Sequence, residues 1–145
     1  MYKHILIPTD GTPLSTAAVD EGLRFARAVG AKATVLGVVE PFRLIATDST
    51  QISQTRMTYN QSAKAAAARH LAAAADQAKS LGVPCTCVEL EHEYPYLAII
   101  ETAANRKCDL IAMASHGRRG VSALILGSET TKVLTHSTIP VLVYR

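Results

Sequence analysis

What this sequence lacks narrows it before any motif is read. No apolar run approaches the ~20 residues that a membrane-spanning helix needs, and Met1–Ile7 is too short for a secretory leader. Cysteine is scarce, and three thiols, an odd count, do not make a disulfide framework. Cys85 and Cys87 share a face by strand spacing and Cys108 stands alone. Neither a second Cys pair nor a His pair at ligand spacing accompanies them, so reduced thiols filling a core are expected and a metal site is not. The basic stripe that grips nucleic acid is missing too. The 15 Lys and Arg are scattered against 12 Asp and Glu, for a net charge of +3. We find no repeat, linker or low-complexity tail. These absences predict one domain over residues 1–145, cytoplasmic, without a membrane span and without a nucleic-acid partner.

What is present alternates. With 48% hydrophobic residues the chain has enough apolar material for one covered sheet. His4–Pro8 is a short apolar run that ends in the turn Thr9-Asp10-Gly11. Ala18, Val19, Gly22, Leu23, Ala26 and Val29 then recur at helical spacing, with Ser15 as the expected cap and Gly30 as the stop. Ala33–Val39 reads as a second strand. Pro41 to about Thr55 is polar and aperiodic, which marks it as either functional or partly helical. From about Met57 to Leu81 the chain is Ala-rich and helix-forming, and Gly82 and Pro84 punctuate its end. Cys85–Leu90, Leu110–Ala114 and Pro140–Tyr144 are the remaining strands. Helices are expected over Pro95–Ala104 and from about Glu129 to Thr135.

Alternating strands and helices of this kind make a doubly wound α/β domain, a five-stranded parallel sheet with helices on both faces. Near-continuous apolar strands agree with that burial. The pattern admits two strand orders, 2-1-3-4-5 and 3-2-1-4-5, of which we adopt the second. Ligands then bind beyond the carboxyl ends of the strands where the winding reverses, between strands one and four. The loops that face this crevice are Thr9–Gly11 and Ser115–Gly120.

The second of these loops carries the chemistry. Ala114-Ser115-His116-Gly117 is followed by nine residues and then Gly127-Ser128. Phosphate oxygens need several backbone N–H groups converging on one spot, and glycine lets the backbone come close. Gly117 and Gly120 provide this on one side. On the other, Gly127-Ser128 stands before a helix whose N-terminus offers free N–H groups and a partial positive charge. Ser128 is suited to cap that helix, and Thr130 and Thr131 add hydroxyls.

With these residues the chain resembles the universal stress protein family. Its nucleotide signature, glycine-two-glycine-nine-glycine-Ser/Thr, reads here A-SH-G-RRGVSALIL-G-S, with Ala114 in the place of the first glycine. The family's opening strand into P-T-D is matched by Pro8-Thr9-Asp10, and its closing P-V-L-V strand by Pro140–Val143. The resemblance covers the whole chain. It implies ATP as the ligand, with or without magnesium. Pro8, Thr9 and Asp10 would border the nucleoside, and Asp10 would meet the ribose or an associated cation. Val38 would meet the adenine through its backbone, and Met113 and Ala114 would lie along the ribose. His116, Gly117, Gly127, Ser128 and Thr130 would surround the phosphates. The resemblance also implies a homodimer joined through the edge strand Pro140–Tyr144.

Other residues have plainer readings. Asp10 is also a turn former, Arg118 and Arg119 are loop cations that either neutralise a triphosphate or stay solvated, and His4, His70 and His136 are surface or boundary residues. Glu91-His92-Glu93 alternate in direction along a strand end and do not converge on a metal. The Ala stripe over residues 63–78 permits close helix packing. No Gly-Lys-Thr/Ser phosphate loop, Ser-Gly-Gly loop or His-x-Gly-His signature is present. The expectation is therefore a regulatory ATP-binding protein of the stress response with little or no turnover. The alternatives are a weak ATPase and a relative that binds no nucleotide and acts through protein contacts.

Overall fold

The computed structural model describes residues 1–42, 49–116 and 126–145, and of residues 49–54 only the backbone. The chain alternates strictly: β1 (His4–Thr9), α1 (Pro13–Val29), β2 (Lys32–Val39), α2 (Ser49–Leu81), β3 (Cys85–Glu91), α3 (Pro95–Asn105), β4 (Leu110–Ala114), α4 (Ser128–His136) and β5 (Val141–Tyr144). The five strands form one parallel sheet in the order β3-β2-β1-β4-β5, so the order 2-1-3-4-5 is excluded. No helix among the described residues is long and apolar enough to cross a membrane.

Helices cover both faces. Ile5, Ile7, Val35 and Ala112 turn toward α1 and α2, where Leu23, Ala26, Leu71 and Ala78 meet them. Leu6, Leu36, Ile111 and Met113 turn toward α3 and α4, where Ile99, Ala103 and Val133 close the second core. The central strand β1 therefore buries both of its faces, which is why its sequence is apolar without alternation.

Local signals explain most boundaries. Gly30 ends α1 in the left-handed conformation with φ 71, and its N–H donates to the Ala26 and Arg27 carbonyls of the last turn. Pro95 occupies the first turn of α3, where its missing N–H costs nothing. Two helix starts differ from expectation. The cap of α1 is Thr12 and not Ser15: the Thr12 side chain accepts from the Ser15 backbone N–H at 3.3 Å. Ser128 does not cap α4 either, because it is already helical and Gly127 takes the cap position without a side-chain bond.

Helix α2 begins at Ser49, earlier than the Ala-rich stretch suggested, so part of the polar segment is helical. Only its later turns seat on the sheet, through Leu71, Ala74 and Ala78. Gly37 on β2 lies under the Leu71 side chain, where a Cβ would make an ordinary van der Waals contact at 3.4 Å.

Candidate functional site

The crevice arises where the strands part. β1 stays paired with β2 up to Thr9 and Gly37, whereas its pairing with β4 covers only Ile5–Leu110 and Leu6–Ile111. Beyond that point the carboxyl ends of β1 and β4 diverge at the reversal of winding, as expected for a ligand crevice in this architecture.

The β1 side is a loop fixed by hydroxyls. The Asp10 carboxylate accepts from the Thr12 N–H at 3.0 Å and from the Thr12 hydroxyl at 2.7 Å. Thr9 and Ser15 hydroxyls lie 3.1 Å apart, the Gly11 N–H donates to Thr9 Oγ1 at 3.2 Å, and the Asp10 N–H reaches Ser15 Oγ at 3.3 Å. Asp10 thus forms the turn and at the same time keeps a carboxyl group at the mouth of the crevice. Gly11 has φ +79, and a Cβ there would fall 2.1 Å from Nε2 of His70. His70, from α2, is half-buried against this loop, a boundary residue as expected.

The β4 side is built from backbone. Gly127 N–H donates to the Ser115 carbonyl at 2.7 Å, which brings the cap of α4 beside the end of β4. Thr130 is buried, and its hydroxyl donates to the Ala114 carbonyl at 2.9 Å, tying the helix to the strand. The first helical bond is Thr131 N–H to the Gly127 carbonyl, 3.0 Å. The N–H groups of Ser128, Glu129 and Thr130 therefore precede the hydrogen-bonded ladder at the positive end of the helix. Glu129 would oppose an anion there, but its carboxylate is committed elsewhere. It accepts from the Tyr96 N–H in the first turn of α3 at 2.9 Å. His116 Nδ1 lies 2.8 Å from Ser115 Oγ, and its Nε2 is buried with no hydrogen-bond partner among the described residues.

Pro8, Thr9, Asp10, Val38, Met113, Ala114, His116, Gly127, Ser128 and Thr130 all lie at the carboxyl end of the sheet. Val38 follows the residue paired with Thr9. The Met113 side chain points into the core under α3 and α4, so only its backbone faces the crevice. Gly117, Gly120, Arg118 and Arg119 lie outside the described residues. The pattern of the sequence did not single out Thr12 or His70 as part of this end, whereas Ser115 stood in a loop expected to face the crevice. Thr12 before Pro13 was the one local sign. His70 reaches the loop by tertiary packing and had none.

His92 accepts from the Tyr94 N–H at 2.9 Å and faces Glu101 at 3.6 Å. Among the described residues no cluster of three His, Cys, Asp or Glu is placed to hold a metal. Burial pushes the Cys85 thiol up to about 12 and the Cys108 thiol to about 11, and raises Cys87 as well. All three are thiols at neutral pH and poor nucleophiles.

A profile described as the universal stress protein family matches residues 1–145. A universal stress protein of Methanocaldococcus jannaschii is 29% identical over 100% of this chain and 83% of its own length. One from Thermus aquaticus is 29% identical over 100% of both chains. Among solved structures, a universal stress protein in complex with cAMP is 24% identical, with TM-score 0.74 over 99% of this chain and 97% of that one. The universal stress protein from Archaeoglobus fulgidus in complex with dAMP is 16% identical, with TM-score 0.65 over 99% of this chain and 98% of that one.

Proposed function

Because the chain belongs to the universal stress protein family, we propose that it is a regulatory adenine-nucleotide-binding protein, with ATP as its ligand and little or no turnover. The observation that carries this reading is the buried, unpartnered Nε2 of His116 beside the cap of α4. A buried polar nitrogen without a partner costs about 1–3 kcal/mol, and a phosphate oxygen is a partner that would relieve it. The surroundings fit an anion. Gly127 has no side chain to block an approach, three N–H groups precede the helical ladder, and the nearby Glu129 carboxylate is taken by Tyr96. Two relatives of the same fold hold adenine monophosphates, cAMP and dAMP, which supports adenine as the base.

In this reading Thr9 and Asp10 hold the sugar side, with Asp10 the residue for an accompanying magnesium. Val38 presents backbone to the base. Ser128, with the N–H groups of α4, takes the phosphates, and Thr130 keeps that helix in place. Ala114 lies along the ribose without a φ that requires glycine, since Lys107 is the one non-glycine with positive φ among the described residues. The Ser115 hydroxyl lies 2.8 Å from His116 Nδ1, but Ser115 is buried at the end of β4, which suits a structural contact better than a nucleophile open to substrate and matches regulation better than catalysis.

The same reading includes a cytoplasmic homodimer of this single domain, joined through β5. The strand is an edge of the sheet, and all four of its residues are half-buried in the single chain. An edge of Val, Leu, Val and Tyr leaves ladder groups unpaired, and antiparallel pairing with a second copy satisfies them. Light scattering at micromolar concentration reads this directly.

The test of nucleotide binding is to denature the purified protein and identify what it releases, then to titrate ATP calorimetrically. Released adenine nucleotide, or saturable ATP binding, is expected. A folded protein that releases none and gives no heat with ATP belongs instead to the relatives that act through protein contacts.

A further inference from the structure

At the opposite end of the sheet, a cavity of about 410 Å³ opens where β1, β2 and β3 begin. Its lining includes His4 and Lys32, the first residues of β1 and β2, with Thr34, Thr86 and the C-cap of α3, Arg106. The floor is polar where the fold does not ask for it. His4 and Thr34 are 8% and 1% exposed, and His4 Nε2 lies 2.7 Å from Thr34 Oγ1. The next residues on the same face, Leu6 and Leu36, are fully buried and apolar. Above this floor stand two cations. Neither Lys32 nor Arg106 makes an ion pair among the described residues. The nearby carboxylate, Asp109, is occupied with the backbone N–H groups of Lys3 and His4 at 2.9 and 3.0 Å.

We propose that this cavity binds a small oxyanion, phosphate- or carboxylate-bearing, held by Lys32 and Arg106 over His4, Thr34 and Thr86. Its volume falls in the range of small-ligand sites, roughly 300–1,000 Å³. The two cations line the same cavity as the His4 imidazole. Burial depresses the His4 pKa first, Lys32 next, and Arg106 adds in the same direction. Asp109 and a backbone hydrogen bond at Arg106 work against them. An anion seated between the cations cancels their repulsion of the imidazolium, so binding and His4 protonation are coupled. The plain alternative is a pair of solvated cations, with Arg106 merely complementing the C-terminus of α3. The site lies a strand length away from the nucleotide crevice and does not depend on that reading.

The experiment follows the His4 ring by NMR while inorganic phosphate, and separately citrate, is added at constant ionic strength with chloride as the control. The expected result is a saturable shift of the His4 signals with a raised His4 pKa, and His116 reports the other end of the sheet independently. Saturation by one anion alone assigns the site to phosphate or to carboxylate chemistry. The double variant Lys32→Gln/Arg106→Gln, both exposed positions, should weaken the binding seen at His4 at least about tenfold. His4 signals that follow the chloride control for both anions overturn the proposal. So does an affinity unchanged in the double variant.

Discussion

The two ends of this sheet present their polar groups by different physics. At the carboxyl end the groups facing the crevice are mostly neutral: hydroxyls, backbone N–H groups and one buried imidazole nitrogen. Their geometry is set by hydrogen bonds that the protein makes with itself. At the amino end the cavity is defined by two cations without an ion pair among the described residues, above a buried His4–Thr34 pair. Fixed dipoles are positioned by the fold and lose little to salt, whereas exposed charges on flexible stems are screened. Anion binding at the amino end should therefore weaken more with added salt than anion binding at the carboxyl end.

The largest way to break this contrast is Gly11→Val. The substitution puts a β-branched residue at φ +79 and drives its Cβ into the His70 ring. Strain of this kind costs about 1–3 kcal/mol before any clash is counted. The His70 ring is the far end of a half-exposed side chain and can swing aside, so we expect a loss of about 1–3 kcal/mol in urea unfolding, set by the backbone. A value under about 1 kcal/mol would mean that the loop is soft.

Gly127→Val separates fold from function. Gly127 has φ −62 and ψ 156, which any residue adopts, so the variant should fold. Its side chain stands beside the free N–H groups of α4, in the path assigned to phosphate. ATP affinity should fall at least about a hundredfold, or ~2.7 kcal/mol, by calorimetry. Unchanged affinity in the folded variant removes the assignment of the phosphate site.

Much of the architecture was legible because the signals were local. Continuous apolar strands, Gly30 and Pro95 each act within a turn of their own position, and they predicted the alternation and most boundaries. The crevice was legible by topology, because glycine-bearing turns followed the two strands that flank the reversal. What escaped depended on contacts between distant segments. Ser15 looked like a cap, yet Thr12 caps and Ser15 serves the Thr9–Asp10 loop. His4 was expected at the boundary and is buried, because Thr34 on the neighbouring strand gives its ring a partner. The cavity above it draws on three strand starts and a helix end, which no spacing in the sequence records.

The amino end is sharpened by pH. The His4 pKa lies below its ordinary 6.5 in the folded chain, chiefly through burial and then through Lys32. The unfolded chain takes up this proton more readily, so acidification through 6.5 costs the folded state stability. Thermal unfolding of the wild type should fall more steeply between pH 7 and 5 than that of His4→Gln. Parallel curves would show that His4 is not the group that titrates there.

Ala114→Gly gives the smallest effect and tests how the carboxyl end is made. Ala114 stands where the resembling signature has glycine, yet it continues β4, paired with Tyr144 and 6% exposed. It follows Ala112, which faces α1, by two residues, so its methyl group projects to that face and away from the α4 wall. Its carbonyl, not its side chain, is what Thr130 holds. Glycine therefore gains nothing in conformation and loses chain stiffness, at a cost of about 0.5–1 kcal/mol. ATP affinity should stay within about twofold, because the backbone that borders the ribose is unchanged. A tenfold tighter complex would mean that the methyl crowds the sugar, and the ribose would then lie on the α1 side of the strand end rather than over its backbone.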